Sequence, residues 1–166
     1  MEESFYLIIR GPLGSGKSTI SKRLSRDFDA EYFAVDKILD DFKLTEDKEE
    51  GYISQRSFFK VNEIIAERAE KILKRGKPVI FDGNFYWQSA IQDLISKLNY
   101  KHYVFTLKAS VETCIARDEK RGKTHGEAAA RVVHKKSTSF EYGTTIDTGN
   151  KTVEETLSEI KKKLRI

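Results

Sequence analysis

Gly11-Pro12-Leu13-Gly14-Ser15-Gly16-Lys17-Ser18 fits G-x-x-x-x-G-K-[ST], the spacing of a phosphate-binding loop. Glycine lets the backbone curl until consecutive N–H groups face one concavity, which suits an anion. Lys17 adds a mobile positive charge for the outer phosphates of a nucleotide, and Ser18 a hydroxyl for Mg²⁺. A helix starting here points its free N–H groups at the same phosphates. The flanks supply the context the motif needs. Phe5-Tyr6-Leu7-Ile8-Ile9 is an apolar run stopped by glycine, and Ile20, Leu24 and Phe28 recur at helical spacing. The candidate nucleotide-binding residues are therefore Gly11, Gly14, Ser15, Gly16, Lys17, Ser18 and Thr19.

Beyond this loop the chain alternates. Ala30 to Val35 reads as a second strand running into Asp36, with a short helix at Ile38, Leu39 and Phe42. Lys43 to Glu50 is charged, weakly patterned and closed by Gly51, which suggests a mobile surface loop. Gln55 to Arg75 predicts an amphipathic helix with Phe58, Val61, Ile65, Ala69 and Ile72 on its buried face, stopped by Gly76 and Pro78. A third strand over Pro78 to Phe81 reaches Asp82-Gly83-Asn84, and Ile91, Leu94, Ile95 and Leu98 mark the next helix. His102 to Leu107 is a fourth strand. Ser110 can cap a helix carrying Val111, Cys114 and Ile115 inward; Ala128 to Lys136 is helical, and Thr144 to Asp147 is a fifth strand. Thr152 with Glu155 forms a capping box for a last helix whose buried face is Val153, Leu157, Ile160 and Leu164. Its Lys161-Lys162-Lys163 end is a solvated last turn, favoured at a helix C-terminus.

Strands alternating with helices imply a parallel sheet covered on both faces, with ligands beyond the carboxyl ends of the strands. At 166 residues the expectation is a single domain. Thirty basic against 26 acidic residues give a formal charge of +4, mild enough that nucleic-acid binding is permitted but not implied. The lone cysteine, Cys114, excludes an internal disulfide and sits among apolar residues, as a buried structural thiol does. The first apolar run is too short to span a membrane, and the expected compartment is the cytoplasm.

Three strand ends should then meet in one crevice: Gly11 onward, Asp36, and Asp82 to Asn84. Phosphoryl transfer needs a phosphate cradle with its metal, a group that positions the nucleophile, a cation on the moving phosphoryl, and exclusion of water. Asp36 is placed to accept the proton of an acceptor hydroxyl; its alternative role is the N-cap of a helix from Lys37. Asp82 ends an apolar strand, where an acid can hold a water on Mg²⁺ or orient Ser18, so Ser18 and Asp82 are the candidate metal residues. Arg117 and Arg121, four apart and sharing a helical face, form a basic cluster with Lys120, Lys123 and Arg131 where a lid should lie. The candidate catalytic residues are thus Lys17, Asp36, Arg117 and Arg121. His125 and His134 read as surface residues, and Phe85, Tyr86 and Trp87 as core or as lining of an acceptor pocket.

In this order, Gly11 to Ser18, Phe33-Ala34-Val35-Asp36, Ile80-Phe81-Asp82-Gly83-Asn84 and Arg117-Asp118-Glu119-Lys120-Arg121-Gly122 resemble the small P-loop kinases. The chain is most similar to their zeta-toxin and chloramphenicol-phosphotransferase-like group, a similarity that continues through Ala129 to His134, Glu141-Tyr142 and Ile146-Asp147-Thr148. The resemblance implies an α/β, three-layer, nucleoside-monophosphate-kinase-like fold. Its five-stranded parallel sheet has order 2-3-1-4-5, with helices on both faces and a small lid at about 118–136. It implies ATP and Mg²⁺ as co-substrates, phosphorylation of an acceptor hydroxyl on a small molecule or nucleotide, Asp36 as acid–base group, Arg117 and Arg121 as lid arginines, and residues 147–150 near the adenine. Polynucleotide 5′-hydroxyl kinases share this core and are the alternative within enzymes. An ATP-binding or ATPase module without an acceptor is the alternative outside them.

Overall fold

The structure is a computed structural model that describes residues 3–122 and 126–165. Its centre is β1 (Phe5–Arg10), in which all six residues are buried. A strand buried on both faces reads as a continuous apolar run, which is why Phe5 to Ile9 carries no polar alternation. β1 pairs in parallel with β5 (Val79–Gly83) on one side and β6 (Lys101–Lys108) on the other. β2 (Glu31–Ala34) flanks β5 and β7 (Thr144–Asp147) flanks β6, both in parallel. The order β2-β5-β1-β6-β7 is the expected 2-3-1-4-5 when these five strands are counted alone.

Strand alternation splits the interior into two cores. Tyr6, Ile8, Phe33, Phe81 and Val104 face α3 (Gln55–Leu73) and α4 (Gln88–Lys97). Phe5, Leu7, Ile9, Ile80 and Phe105 face α1 (Lys17–Asp27) and α7 (Val153–Lys163). Burying each such side chain contributes about 1.5–3 kcal/mol, so the two layers anchor every strand end that carries polar chemistry. α2 (Val35–Asp41), at seven residues, is too short to persist alone; it holds because Val35 and Leu39, one turn apart, are fully buried. α5 (Val111–Lys120) and α6 (Glu127–Ser137) lie on either side of residues 121–126. The expected lid segment therefore begins inside α5 and includes most of α6.

Several local expectations need correction. Lys43 to Glu50 is a loop only as far as Asp47: β3 (Lys48–Glu49) pairs with β4 (Tyr52–Ile53) in an antiparallel hairpin about Glu50-Gly51. Two-residue strands leave too little alternation to recognise. On α3, Leu73 rather than Ile72 is buried, and on α7 Val153 is 38% exposed because it lines an open cavity with Thr152 and Thr156. Thr152 does cap α7, accepting from the Glu155 N–H at 3.1 Å. Asp36 is not an N-cap: Ala34 holds that position without a side-chain bond, and Asp36 lies inside the first turn of α2.

Candidate functional site

The phosphate-binding loop turns directly out of β1. Gly16 takes φ +94°, which opens α1 without any side-chain cap, so its first N–H groups remain available to an anion. Gly14, at φ +78°, lies against α5: a Cβ there would stand 2.3 Å from the Cys114 carbonyl oxygen. Close approach, as well as curl, therefore requires glycine at this place. Lys17 is buried and reaches back over the loop, its Nζ 3.5 Å from the Pro12 carbonyl.

Asp82 and Asp36 sit beside the loop. β5 carries Asp82 on the α1 face, the same face as Ile80, and the residue is 4% exposed. Its Oδ2 accepts from the Tyr32 hydroxyl, while Oδ1 is buried with no partner among the described residues. Asp36 Oδ1 accepts from the Asn84 N–H at 3.2 Å, tying α2 to the end of β5. Lys17, Ser18, Tyr32, Asp36, Asp82 and Arg121 all line one cavity of about 410 Å³. Burial, then the bond to Asp82, raises the Tyr32 phenol above its ordinary value, so it remains a donor at neutral pH.

A second cavity of about 380 Å³ opens behind the loop, between Gly14 to Gly16, Thr19, Arg117, Thr148 and the start of α7. Arg117 lines it as a fastener. Its Nη1 donates to the Gly14 and Ser15 carbonyls, each at 3.2 Å, and to Thr148 Oγ1 at 3.1 Å; Nη2 donates to the Thr148 carbonyl at 2.6 Å. Thr148 Oγ1 in turn donates to the Ser15 carbonyl at 2.9 Å. Arg117 and Arg121 do not share one task of position. Arg121 is the C-cap of α5, is exposed, and borders both cavities. Arg131 pairs with Glu127 on the surface instead of joining the crevice, and Lys123 and His125 lie outside the described residues. His134 is half-buried, its Nε2 2.8 Å from the Ala109 carbonyl oxygen. Cys114 is fully buried, which pushes its thiol up, as a structural cysteine requires. A larger concavity, about 730 Å³, opens at the other end of the strands and contains none of the loop residues.

Phe85 to Trp87 follow β5 and line neither cavity at the loop. Phe85 and Tyr86 are core residues, whereas Trp87 is half-buried under Lys136, whose Nζ stands 3.6 Å from the ring centroid. Lys136 also pairs with Glu50 at 3.7 Å, and the Tyr52 hydroxyl donates to the Val132 carbonyl at 3.4 Å, so the hairpin is clasped to α6. Arg10 was not singled out by the sequence. It is fully buried and donates to the carbonyls of Phe85 and Ser137 and to Thr106 Oγ1, with Phe140 stacked on its guanidinium. Burial lowers its pKa to about 10. An arginine ending an otherwise apolar strand was its one signal.

The residues present fit a divalent cation of the Mg²⁺ type. A serine hydroxyl and one buried, half-satisfied carboxylate share a crevice, and no cluster of three or more His, Cys, Asp or Glu occurs among the described residues. Mg²⁺ keeps most of its waters and needs few protein ligands. No helix among the described residues is long and apolar enough to cross a membrane.

The model of the AAA domain family matches residues 7–141. A deoxyguanosine kinase of Bacillus subtilis is 25% identical over 146 residues, 74% of this chain and 70% of the relative. The APS kinase of Mycobacterium tuberculosis, solved with AMPPNP and APS, superposes with a TM-score of 0.76 at 13% identity over 99% of both chains. A gluconokinase of Sinorhizobium meliloti gives 0.72 at 14% identity, covering 96% of this chain and 90% of its own. With the loop, the sheet order and kinases as its relatives, the chain is a P-loop phosphotransferase belonging to the AAA domain family.

Proposed function

We propose that the chain moves the γ-phosphate of ATP to a hydroxyl of a small molecule or nucleotide. The observation that carries this reading is the single crevice shared by Lys17, Ser18, Asp82 and Asp36, because it sets a carboxylate beside the phosphate cradle on the side away from the base pocket. Lys17 and the free N–H groups of α1 hold the phosphates. Ser18 and Asp82 hold Mg²⁺, which when bound neutralises charge on the outer phosphates. Asp36, fixed by the Asn84 N–H, orients the acceptor hydroxyl and takes its proton. Arg121 stands where a cation can meet charge moving between the two cavities. Arg117 holds the loop against residues 147–149, and the cavity behind the loop takes the base. Residues 118–136 act as the lid of a single domain, and the cytoplasm, where ATP is held, is the compartment this reading implies.

The relative in sequence is a deoxyguanosine kinase, so deoxynucleosides head the acceptor panel, followed by sugar acids and 5′-hydroxyl oligonucleotides. The motif order through Asp147 supports the narrower placement in the zeta-toxin and chloramphenicol-phosphotransferase-like group. The test is transfer from γ-labelled ATP across this panel with the unmodified chain and Lys17→Ala. Acceptor-dependent labelling that disappears in the variant is the expected result. Labelled phosphate released at the same rate with and without every acceptor would assign the chain to ATP hydrolysis instead.

A further inference from the structure

Tyr32 stands closer to the cation frame than its place in the sequence suggests. The β2–β5 register sets Ala34 opposite Asp82 and Tyr32 opposite Ile80. Tyr32 and Ala34 lie on one face by strand alternation, and the small Ala34 leaves room for the longer side chain to run diagonally along the strand. The phenol thereby reaches Asp82 Oδ2, and it lines the same cavity as Ser18.

We infer that Tyr32 is a positioning residue for the divalent cation: its hydroxyl holds Oδ2 of Asp82, leaving Oδ1 as the oxygen presented to the cation and its waters. The inference rests on the kinase reading above and adds to it the group that orients the metal acid. Without the hydroxyl, a carboxylate that is 4% exposed has neither oxygen paired among the described residues. Such a group is no longer held in one rotamer and swings toward other partners, which removes it from service to a cation.

The experiment is calorimetric binding of a non-hydrolysable ATP analogue to the unmodified chain and to Tyr32→Phe, each in excess Mg²⁺ and in EDTA. Affinity in EDTA is expected to stay within about twofold, while affinity in Mg²⁺ falls about tenfold, the scale of losing an outer-shell partner of a metal ligand. In an Asp82→Asn background, Tyr32→Phe has no further effect on the Mg²⁺-dependent part. Ala34→Val keeps the phenol but crowds its path, and produces the same Mg²⁺-selective loss should the phenylalanine variant fold poorly. Equal losses in both media would reduce Tyr32 to a packing residue, and full affinity in Mg²⁺ would overturn the inference outright. Nucleotide binding with no Mg²⁺ dependence in the unmodified chain would also overturn it. The kinase reading fails separately, by absence of acceptor-dependent transfer.

Discussion

Asp36 owes its position to neighbours that do no chemistry. Val35 and Leu39 are fully buried, so Asp36, about 100° round α2 from Val35, turns away from that core face, and the Asn84 N–H fixes one carboxylate oxygen. Asp36→Asn retains an acceptor for that N–H but cannot take a proton. We expect folded protein, ATP affinity near normal and kcat lowered by about two to four decades, the range for general acid–base catalysis. Steady-state kinetics with whichever acceptor is found, beside nucleotide binding, decides the point; a wild-type rate would remove Asp36 from the mechanism. Lys17, Ser18, Asp36 and Asp82 were legible in the sequence because each follows directly on a loop motif or an apolar strand. Tyr32 and Arg10 were not, because their roles depend on register between strands or on reach across the sheet, and Asn84 was placed at the crevice without its part as a backbone donor to Asp36.

Among the elements, α5 shows how far helical spacing carries. Four residues apart, Arg117 and Arg121 belong on one stripe, yet Arg121 is the C-cap and leaves the helix while Arg117 turns into the loop carbonyls. Spacing cannot foresee where a helix ends within a turn. The two arginines should separate in kinetics. Arg117→Ala is expected to weaken ATP binding about tenfold or more and to cost about 1–3 kcal/mol of stability, since it orphans carbonyls on two loops. Arg121→Ala should leave ATP affinity nearly unchanged and lower kcat by about two decades, the scale of one lost electrostatic stabiliser. Binding isotherms, denaturant unfolding and kcat measured on both variants check the contrast; identical behaviour would return both to one role. The β3–β4 hairpin was illegible for a different reason: it is held by Tyr86, Trp87 and Lys136, not by its own pattern.

At the scale of the whole molecule, buried tyrosines set the alkaline limit. Burial pushes the Tyr86 phenol up to about 12, and Tyr6 and Tyr32 are raised in the same sense. Between about pH 10 and 12 the unfolded chain gives up phenolic protons that the folded one keeps, so stability present below pH 10 is lost as pH rises. Arg10, lowered to about 10, runs the other way in that window, against the three tyrosines and the Cys114 thiol, which is pushed up in the same sense. Denaturant unfolding is expected to show a net fall in stability between about pH 9.5 and 11.5, shallower in Tyr86→Phe; a rise would mean that Arg10 dominates. The five parallel strands were legible because five apolar runs each ended in polar or glycine residues, and their order came with the resemblance to small P-loop kinases, while the clasp between hairpin and α6 arises only once distant segments are folded together. That clasp has an evolutionary side. The phosphate-handling parts are rooted in the five-stranded sheet, where a one-residue shift in β1 or β5 would turn every side chain over. The hairpin is a separate two-stranded sheet attached through side chains and a few main-chain bonds. It can lengthen, shorten or be exchanged without disturbing any register of the main sheet. Descent can therefore remodel this corner freely, while the sheet that carries the phosphate loop is inherited whole.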